Sequence, residues 1–350
     1  MRIAGKGLID RSKPVRFTFD GKTYQGFLGD TLASALLAND VRLMGRSFKY
    51  HRPRGVLTAG PEEPNALVEV MDGGSQSPNT RATVQEIYDG LQAKSQNRWP
   101  SLAFDLLSVN DLAAPFLGAG FYYKTFMWPR AFWEGLYEPL IRRAAGLGTL
   151  KAQHETAEYE KAYAFCDLLV IGSGPAGLIA ALTAARAGAD VILAEQDSLM
   201  GGRLLVSDER IGDHPALDWV QATLAELSAL PNARLMTRTT VIGAYDQGTY
   251  GALERVGLHL SAAPHLPREC FWRIAAKQTV LAAGAIERPI AFANNDRPGI
   301  LLASAGQTYL NRFGVTAGQR VGLYANNDSA RGFAPTPRQF GVDLSRLWRF

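Results

Sequence analysis

A glycine-rich turn between a buried strand and a helix constrains the fold of this 350-residue chain more than any other feature. Residues 168–171 (LLVI) predict a short strand, and Gly172, Gly174 and Gly177 follow it in the spacing GxGxxG. The first glycine permits a tight turn, the second lets a phosphate approach the backbone, and the third lets the helix pack on the strand. In this context the spacing predicts a Rossmann-type dinucleotide-binding unit.

The residues that flank the turn indicate which dinucleotide it takes. A helix is predicted from Pro175 to Ala187, and its amino terminus offers N–H groups to a pyrophosphate. A second strand over residues 190–194 ends at Glu195, at the distance from the turn where a carboxylate accepts hydrogen bonds from ribose hydroxyls. An acid there disfavours a 2′-phosphate, so NAD or FAD is favoured over NADP. A glycine-rich turn without a ligand is the open alternative.

Two further segments complete the predicted site. Gly201 and Gly202 let the chain pass close to the nucleotide, although an ordinary turn is also consistent with them. Residues 278–288 (QTVLAAGAIER) predict a strand that returns beside the nucleotide, where Glu287 and Arg288 either contact the cofactor or form a salt bridge. The candidate cofactor-binding residues are Gly172, Ser173, Gly174, Pro175, Ala176, Gly177, Glu195, Gln196, Gly201, Gly202, Arg203, Ala283 and Gly284.

The amino-terminal part has a different pattern. Residues 14–24 alternate apolar and polar side chains around Asp20-Gly21, which predicts a β-hairpin with a two-residue turn. Asp30 or Thr31 then caps a short helix, and residues 66–71 predict another strand. A hairpin followed by a helix is typical of a β-grasp fold. The predicted fold class is therefore an α+β β-grasp domain followed by an α/β Rossmann-type FAD- or NAD(P)-binding domain.

The remaining segments define the predicted domain boundaries. The β-grasp domain occupies residues 1–95, a connector 96–165, an incomplete Rossmann-type domain 166–330 and an unrelated tail 331–350. The connector holds an aromatic stripe, predicted to be core or interface, that consists of Phe121, Tyr122, Tyr123, Phe126, Trp128, Phe132, Trp133 and Tyr137.

Composition narrows the function classes. A net charge of +4 does not by itself imply nucleic acid, and the basic run between residues 41 and 61 predicts a solvated or subunit-docking loop, with an anion contact as the alternative. Cys166 and Cys270 lie too far apart for a CxxC motif, and the five histidines are scattered, so no metal site and no catalytic residue is predicted. No secretory signal is evident and the apolar run at 168–185 is better explained by the strand and helix than by a membrane span, so a cytoplasmic location is expected.

Several longer stretches resemble the alpha subunit of heterotetrameric sarcosine oxidase. They are FKYHRPRGV (48–56), AGPEEPNALVEV (59–70), TFMWP (125–129), YEPLIRRAAGLG (137–148), VIGSGPAGL (170–178) and AAGAIERPIAFANNDRPGI (282–300). The resemblance extends to about Ala330. Opine oxidases, N-methylglutamate dehydrogenases and cyanide-forming dehydrogenases have related subunits, so the resemblance implies the family and leaves the amine substrate open.

The resemblance implies a division of labour. The first domain should look like a [2Fe–2S] ferredoxin, but residues 45–60 hold no cysteine, so a cluster is not expected. The Rossmann-type domain would bind NAD, while the catalytic FAD lies on the beta subunit and an FMN at the alpha–beta interface. Beta, gamma and delta subunits are the implied partners. Oxidative demethylation of sarcosine, or of a related secondary amine, would then take place outside this chain.

The family's alpha subunits are much longer than 350 residues. Residues 320–328 (RVGLYANND) resemble the strand that opens a second nucleotide domain, and the expected helix does not follow in the sequence. We therefore hypothesise that the reading frame is truncated near Ala330. A self-contained FAD-dependent oxidoreductase and a non-functional truncated product are the alternatives.

Overall fold

The computed structural model divides the chain into two compact units. One unit combines Met1–Glu155 with Arg288–Phe350, and the other is Thr156–Glu287. The sequence predicts that residues 288–330 belong to the Rossmann-type domain, whereas the structure packs residues 288–327 in the first unit. The structure describes residues 1–72, 75–112, 126–146, 158–261, 265–327 and 343–349, and the single positions 114, 115, 118, 120 and 148.

A five-stranded sheet forms the centre of the first unit. Its strands lie in the order β2-β1-β7-β5-β6, with β1 parallel to β7 and the other neighbours antiparallel. A two-stranded ladder, β3 with β4, lies in the loop after the first helix. The elements are β1 Asp10–Phe19, β2 Lys22–Leu28, α1 Leu32–Ala38, β3 Gly45–Arg46, β4 Pro53–Arg54, β5 Leu67–Asp72, β6 Ser75–Arg81 and β7 Leu91–Ser95.

Local sequence explains the hairpin and the first helix. Asp20 and Gly21 both have positive φ, 48° and 78°, as the tightest two-residue hairpin turn requires. Thr31 is the N-cap of α1, and its side chain and that of Ser34 form a reciprocal capping box. The predicted hairpin and helix are confirmed. The helix is buried against a core that includes Val15, Phe17, Phe19, Leu32, Leu36 and Leu91.

The connector contains short helical turns followed by α2, Glu138–Ala145. Trp128 is 83% exposed and Phe132 is 49% exposed, so these two side chains are not core, and the interface alternative for the aromatic stripe stays a prediction. Phe121, Tyr122 and Tyr123 lie outside the described residues. Among the residues that the structure describes, no helix has both the length and the apolar character needed to cross a bilayer.

The second unit is a six-stranded sheet with the order β12-β9-β8-β15-β14-β13. The first four strands are mutually parallel, and β14 and β13 add antiparallel strands at one side. The order β12-β9-β8 is the 3-2-1 half of a Rossmann sheet. The elements are β8 Tyr159–Ile171, α3 Pro175–Arg186, β9 Val191–Ala194, β10 Arg210–Ile211, β11 His214–Pro215, α4 Ala216–Ala229, β12 Ala233–Met236, β13 Thr239–Tyr245, β14 Thr249–Arg255 and β15 Glu269–Leu281.

Both faces of this sheet are covered at its parallel strands. Val170 and Leu193 face helices α3 and α4, while Leu169 and Ile192 belong to a core on the other face with Ile274. A parallel strand buried on both faces needs a continuous apolar run, which residues 168–171 supply. Strand β8 nevertheless begins at Tyr159, nine residues before the predicted start, because it pairs with β15 residue for residue from Tyr159–Glu269 onward.

The chain then returns to the first unit. Gly314 follows the last residue of helix α5 (Ala303–Phe313) and has a φ of 64°. It lies so close to the backbone of Lys6 that a Cβ would come within 2.4 Å of the Lys6 carbonyl oxygen. Tyr309 and Phe313 of this helix belong to the core of the first unit. The elements are α5 Ala303–Phe313, β16 Arg320–Ala325 and β17 Asp343–Arg349, and the two strands pair in parallel.

Candidate dinucleotide-binding site

The turn after β8 is shaped by two close backbone approaches. Gly172 has a φ of 96°, and a Cβ there would lie 2.5 Å from the carbonyl oxygen of Ala282. A Cβ on Gly177 would lie 1.9 Å from the carbonyl oxygen of Gly172. Ala282 itself donates its N–H to Ile171 O at 2.8 Å. The end of β15 therefore lies directly beside the glycine-rich turn, as the sequence predicted.

Helix α3 begins at this turn without a side-chain cap. Gly174 is the N-cap and Pro175 occupies the first helical position, which needs no N–H donor. The first turn of a helix leaves its N–H groups without intrahelical acceptors, so those of Ala176 and Gly177 are available to an anion. A Cβ built on Gly174 meets no atom within 4 Å, which leaves open space at the position where the motif places a phosphate.

Glu195 ends strand β9 and is only 8% exposed. Its Oε2 accepts from the N–H and the hydroxyl of Ser173, at 2.9 and 2.6 Å, and its Oε1 accepts from Asp197 N at 3.0 Å. An ionised carboxylate offers about four acceptor positions, so one remains for a further donor such as a ribose hydroxyl. Ser173 thus orients the Glu195 carboxylate. This contact was not predicted from the sequence.

The glycine pair after β9 passes close to the same turn. Gly201 and Gly202 have φ values of 132° and 54°, and a Cβ on Gly202 would lie 3.0 Å from the Cα of Gly174. Gly201 N donates to Ser173 Oγ at 3.2 Å. Ser173 links the pair to Glu195 and to the start of α3, and the role of the pair beside a nucleotide stays a prediction.

The structure places the other predicted residues at the rim of this cluster. The Gln196 side chain is exposed, and Arg203 is exposed and pairs with Glu209 at 2.9 Å. Ala283 and Gly284 are exposed after β15, and the Cα of Ala283 lies 3.2 Å from a Cβ built on Gly172. Glu287 and Arg288 are exposed, and their predicted contact with a cofactor stays a prediction. The thirteen predicted residues therefore divide into a buried frame around Ser173 and Glu195 and an open rim.

Three arginines of the basic run between residues 41 and 61 form hydrogen bonds or ion pairs with other groups of the first unit. Arg52 donates to both carboxylate oxygens of Asp296, and Arg54 lies 3.1 Å from the same group. These guanidinium groups hold the pKa of Asp296 at about 2. Arg46 donates to the carbonyl oxygens of Leu102 and His51. These three arginines therefore stabilise the loop in which they lie.

Neither cysteine has the surroundings of a reactive thiol. Burial raises the pKa of Cys166 to about 11 and also raises that of Cys270. Both thiols are therefore protonated near neutral pH, and only a thiolate acts as nucleophile or metal ligand. Within the described residues, no group of three or more His, Cys, Asp or Glu side chains is placed to hold a metal ion.

Comparisons with known proteins agree with an amino-terminal β-grasp domain followed by a Rossmann-type domain. Residues 12–98 match the family described as a 2Fe-2S iron-sulfur cluster binding domain, and residues 167–208 match FAD dependent oxidoreductases. Over 98% of its length the chain is 56% identical to sarcosine oxidase subunit alpha of Rhizobium meliloti (strain 1021). The chain is a homologue of sarcosine oxidase alpha subunits. It covers 35% of that relative, so it spans about a third of the relative's length.

Other relatives give the same picture. Sarcosine oxidase subunit alpha of Corynebacterium sp. (strain P-1) is 38% identical over 92% of this chain and 29% of its own length. The crystal structure of an L-proline dehydrogenase from P. horikoshii aligns with all of the chain and 56% of its own, with a TM-score of 0.66 at 21% identity, which shows the fold alone. The predicted resemblance and the predicted fold class are confirmed.

The match to an iron–sulfur domain does not fit the residues of this chain. Thiolates hold such clusters, and residues 12–98 contain no cysteine and a single histidine, His51. That histidine is fully buried, with its Nδ1 2.7 Å from Asp105 Oδ2. The first unit therefore has the fold of a cluster-binding domain without the ligands.

Proposed function

We propose that this chain is the dinucleotide-binding part of the alpha subunit of a sarcosine-oxidase-like complex, and that it binds NAD at the turn after β8. The proposal rests on the close contacts among Gly172, Ser173, Glu195 and Gly202, which we call the junction. They occur in a chain that is 56% identical to a sarcosine oxidase alpha subunit. The substrate of the whole complex is sarcosine or a related secondary amine.

Each part of the junction has a separate task in binding. The N–H groups of Ala176 and Gly177 would hold the pyrophosphate, and Gly174 leaves the space that a phosphate needs. The remaining acceptor position of Glu195 would accept from a ribose hydroxyl, while Ser173 holds the carboxylate in place. A bound NAD would supply hydride transfer.

The amine oxidation itself is assigned to a partner subunit. The sequence offers no nucleophile–base pair, and burial keeps both cysteine thiols protonated near neutral pH. The curated relatives are named as alpha subunits of sarcosine oxidase, which supports an assembly with other subunits, and the proposed partners are of the beta, gamma and delta types. Co-expression with a beta-type subunit tests this step, since amine oxidation should require both chains. Activity of the chain alone would contradict it.

Binding of NAD and NADP by the purified chain tests the site. We expect NAD to bind at least about tenfold more tightly than NADP, which corresponds to 1.4 kcal/mol, because Glu195 repels a 2′-phosphate. Glu195→Gln should reduce this preference. Glu226→Gln, at an exposed surface pair with Arg186, is the matched control and should change neither affinity. Equal affinities of the unmodified chain for NAD and NADP would contradict the assigned role of Glu195.

A second candidate is a flavoprotein that binds FAD at the same turn. The match of residues 167–208 to FAD dependent oxidoreductases favours it, and FAD presents the same pyrophosphate and unphosphorylated ribose as NAD. The two candidates differ in colour. A purified chain with flavin absorption bands at a 1:1 ratio supports FAD, whereas a colourless chain that binds NAD supports the first proposal.

A further inference from the structure

A single buried carboxylate organises the loop between β4 and β5 of the first unit. Glu63 is 1% exposed. Its Oε2 accepts from the N–H groups of Leu57 and Thr58, at 2.8 and 2.7 Å, and from the Thr58 hydroxyl at 3.1 Å. Its Oε1 accepts from the N–H groups of Asn65 and Ala66, at 2.8 and 3.1 Å. Five donors from two sides of the loop thus converge on one anion.

The charge of Glu63 is compensated by backbone dipoles. Within the described part of the chain, no lysine or arginine forms an ion pair with this carboxylate, and four of its five donors are peptide N–H groups. Converging N–H groups of this kind form an anion-binding concavity, the arrangement that phosphate and iron–sulfur sites use. The loop therefore has the form of an anion site that is filled by a side chain of its own sequence.

The returning segment closes the loop from outside. Tyr309 is 1% exposed and donates its hydroxyl to Thr58 O at 2.8 Å, and Leu302 N donates to Leu57 O at 2.9 Å. Burial raises the pKa of Tyr309 well above its usual value, and the charges of Glu63 and Glu62 raise it further. The Glu63 carboxylate therefore lies inside a packed core that Tyr309 helps to cover.

We propose that the Glu63 carboxylate replaces an iron–sulfur cluster as the anion that orders this loop. The loop lies in the segment that matches a 2Fe-2S cluster binding domain, and that segment contains no cysteine. An internal anion keeps the N–H groups paired without metal or thiolates. The first unit is then a permanently ordered, redox-inactive module whose loop needs no iron, and this conclusion does not depend on the proposed nucleotide function.

Three variants of the full chain test the proposal by thermal unfolding. Glu63→Gln keeps the shape but removes the charge, and places an amide NH2 against N–H donors. We expect it to lower the Tm by about 10 °C, nearly as much as Glu63→Ala, because buried donors lose their acceptor. Glu62→Gln, at the exposed neighbouring carboxylate, is the matched control and should leave the Tm unchanged. A Glu63→Gln Tm equal to that of the control overturns the proposal.

Recovery of the Tm of Glu63→Ala by small anions distinguishes an anion role of Glu63 from a packing role. Formate should enter the space left in Glu63→Ala and restore roughly half of the lost Tm at concentrations well above its Kd, whereas chloride at equal ionic strength should not. If Glu63→Ala is insoluble, recovery of soluble protein on refolding with formate against chloride replaces the Tm. Equal effects of the two salts overturn the proposal.

Reconstitution with ferrous iron and sulfide under reducing conditions tests the absence of a cluster directly. The unmodified chain should gain no visible absorption band, and EDTA should not change its Tm. A chain that takes up iron and sulfide at a 2:2 ratio with an increase in Tm overturns the proposal, because the loop would then accept the cluster that Glu63 is inferred to replace.

Discussion

Alanine in place of Gly177 or Gly174 tests the glycine-rich turn, because the structure gives the two positions opposite surroundings. A Cβ on Gly177 would lie 1.9 Å from the carbonyl oxygen of Gly172, whereas ordinary contact begins near 3.4 Å. Strand β8 and helix α3 would have to separate by about 1.5 Å. A separation of this size should destabilise the fold by about 3 kcal/mol, at the upper end of the range for overpacked cores. At about 4 °C per kcal/mol for a unit of this size, Gly177→Ala should lower the Tm by about 12 °C.

Gly174→Ala should behave in the opposite way. Its φ of −67° and ψ of −177° suit alanine, and no atom lies within 4 Å of the added methyl group. As an N-cap replacement it should cost no more than about 1 kcal/mol. The methyl group instead occupies the space assigned to a phosphate, so dinucleotide affinity should fall at least about tenfold, or 1.4 kcal/mol.

Thermal unfolding and isothermal titration with NAD measure both effects on the same preparations. We expect a loss of stability in Gly177→Ala, and in Gly174→Ala a loss of binding with a decrease in Tm of no more than about 4 °C. A Gly177→Ala Tm within 2 °C of the unmodified chain would refute the close strand–helix packing. Unchanged affinity in Gly174→Ala would refute the position assigned to the phosphate.

Two further predictions concern titratable groups. The pKa of Asp296 is lowered from 3.8 to about 2, chiefly by Arg52 and also by Arg54, so its contribution to stability is present above pH 4 and is lost as the pH falls toward 2, by roughly 2 kcal/mol. The loss of stability between pH 5 and pH 2 should therefore be smaller by about this amount in Asp296→Asn, whereas Asp40→Asn should lose as much as the unmodified chain, and an equal loss in all three would contradict the assignment. Burial raises the pKa of Cys166 to about 11, so its alkylation by iodoacetamide, followed by mass spectrometry, should be slow at pH 7 and accelerate toward pH 11. Rapid labelling of the folded chain at pH 7 would contradict this burial.

Local patterns were sufficient where a few neighbouring residues determine the backbone. Asp20-Gly21 predicts its turn because both positions need positive φ, and the residues after Gly172 predict a helix because Pro175 and Gly188 mark its ends. The spacing from the turn to Glu195 predicts their proximity because parallel strands end at the same edge of a sheet. These elements lie within about 25 residues of sequence.

Contacts between distant segments were not predictable in this way. Arg52 meets Asp296 across 244 residues, and Tyr309 reaches Thr58 across 251, so the return of residues 288–327 to the first unit has no local signal. The early start of β8 depends on its pairing with β15. Glu63 stands in a polar loop and resembles a surface residue, although its five donors make it the centre of that loop.

The nucleotide carried by the purified chain tests the central claim most directly. The chain would be saturated with NAD and FAD in separate samples, passed through a desalting column, denatured, and the released nucleotide identified and measured against protein. We expect a colourless chain that retains NAD at close to one per chain and loses it in Gly174→Ala. Retention of FAD with flavin absorption bands would contradict the assignment to NAD, and retention of neither would contradict a dinucleotide site at the turn after β8.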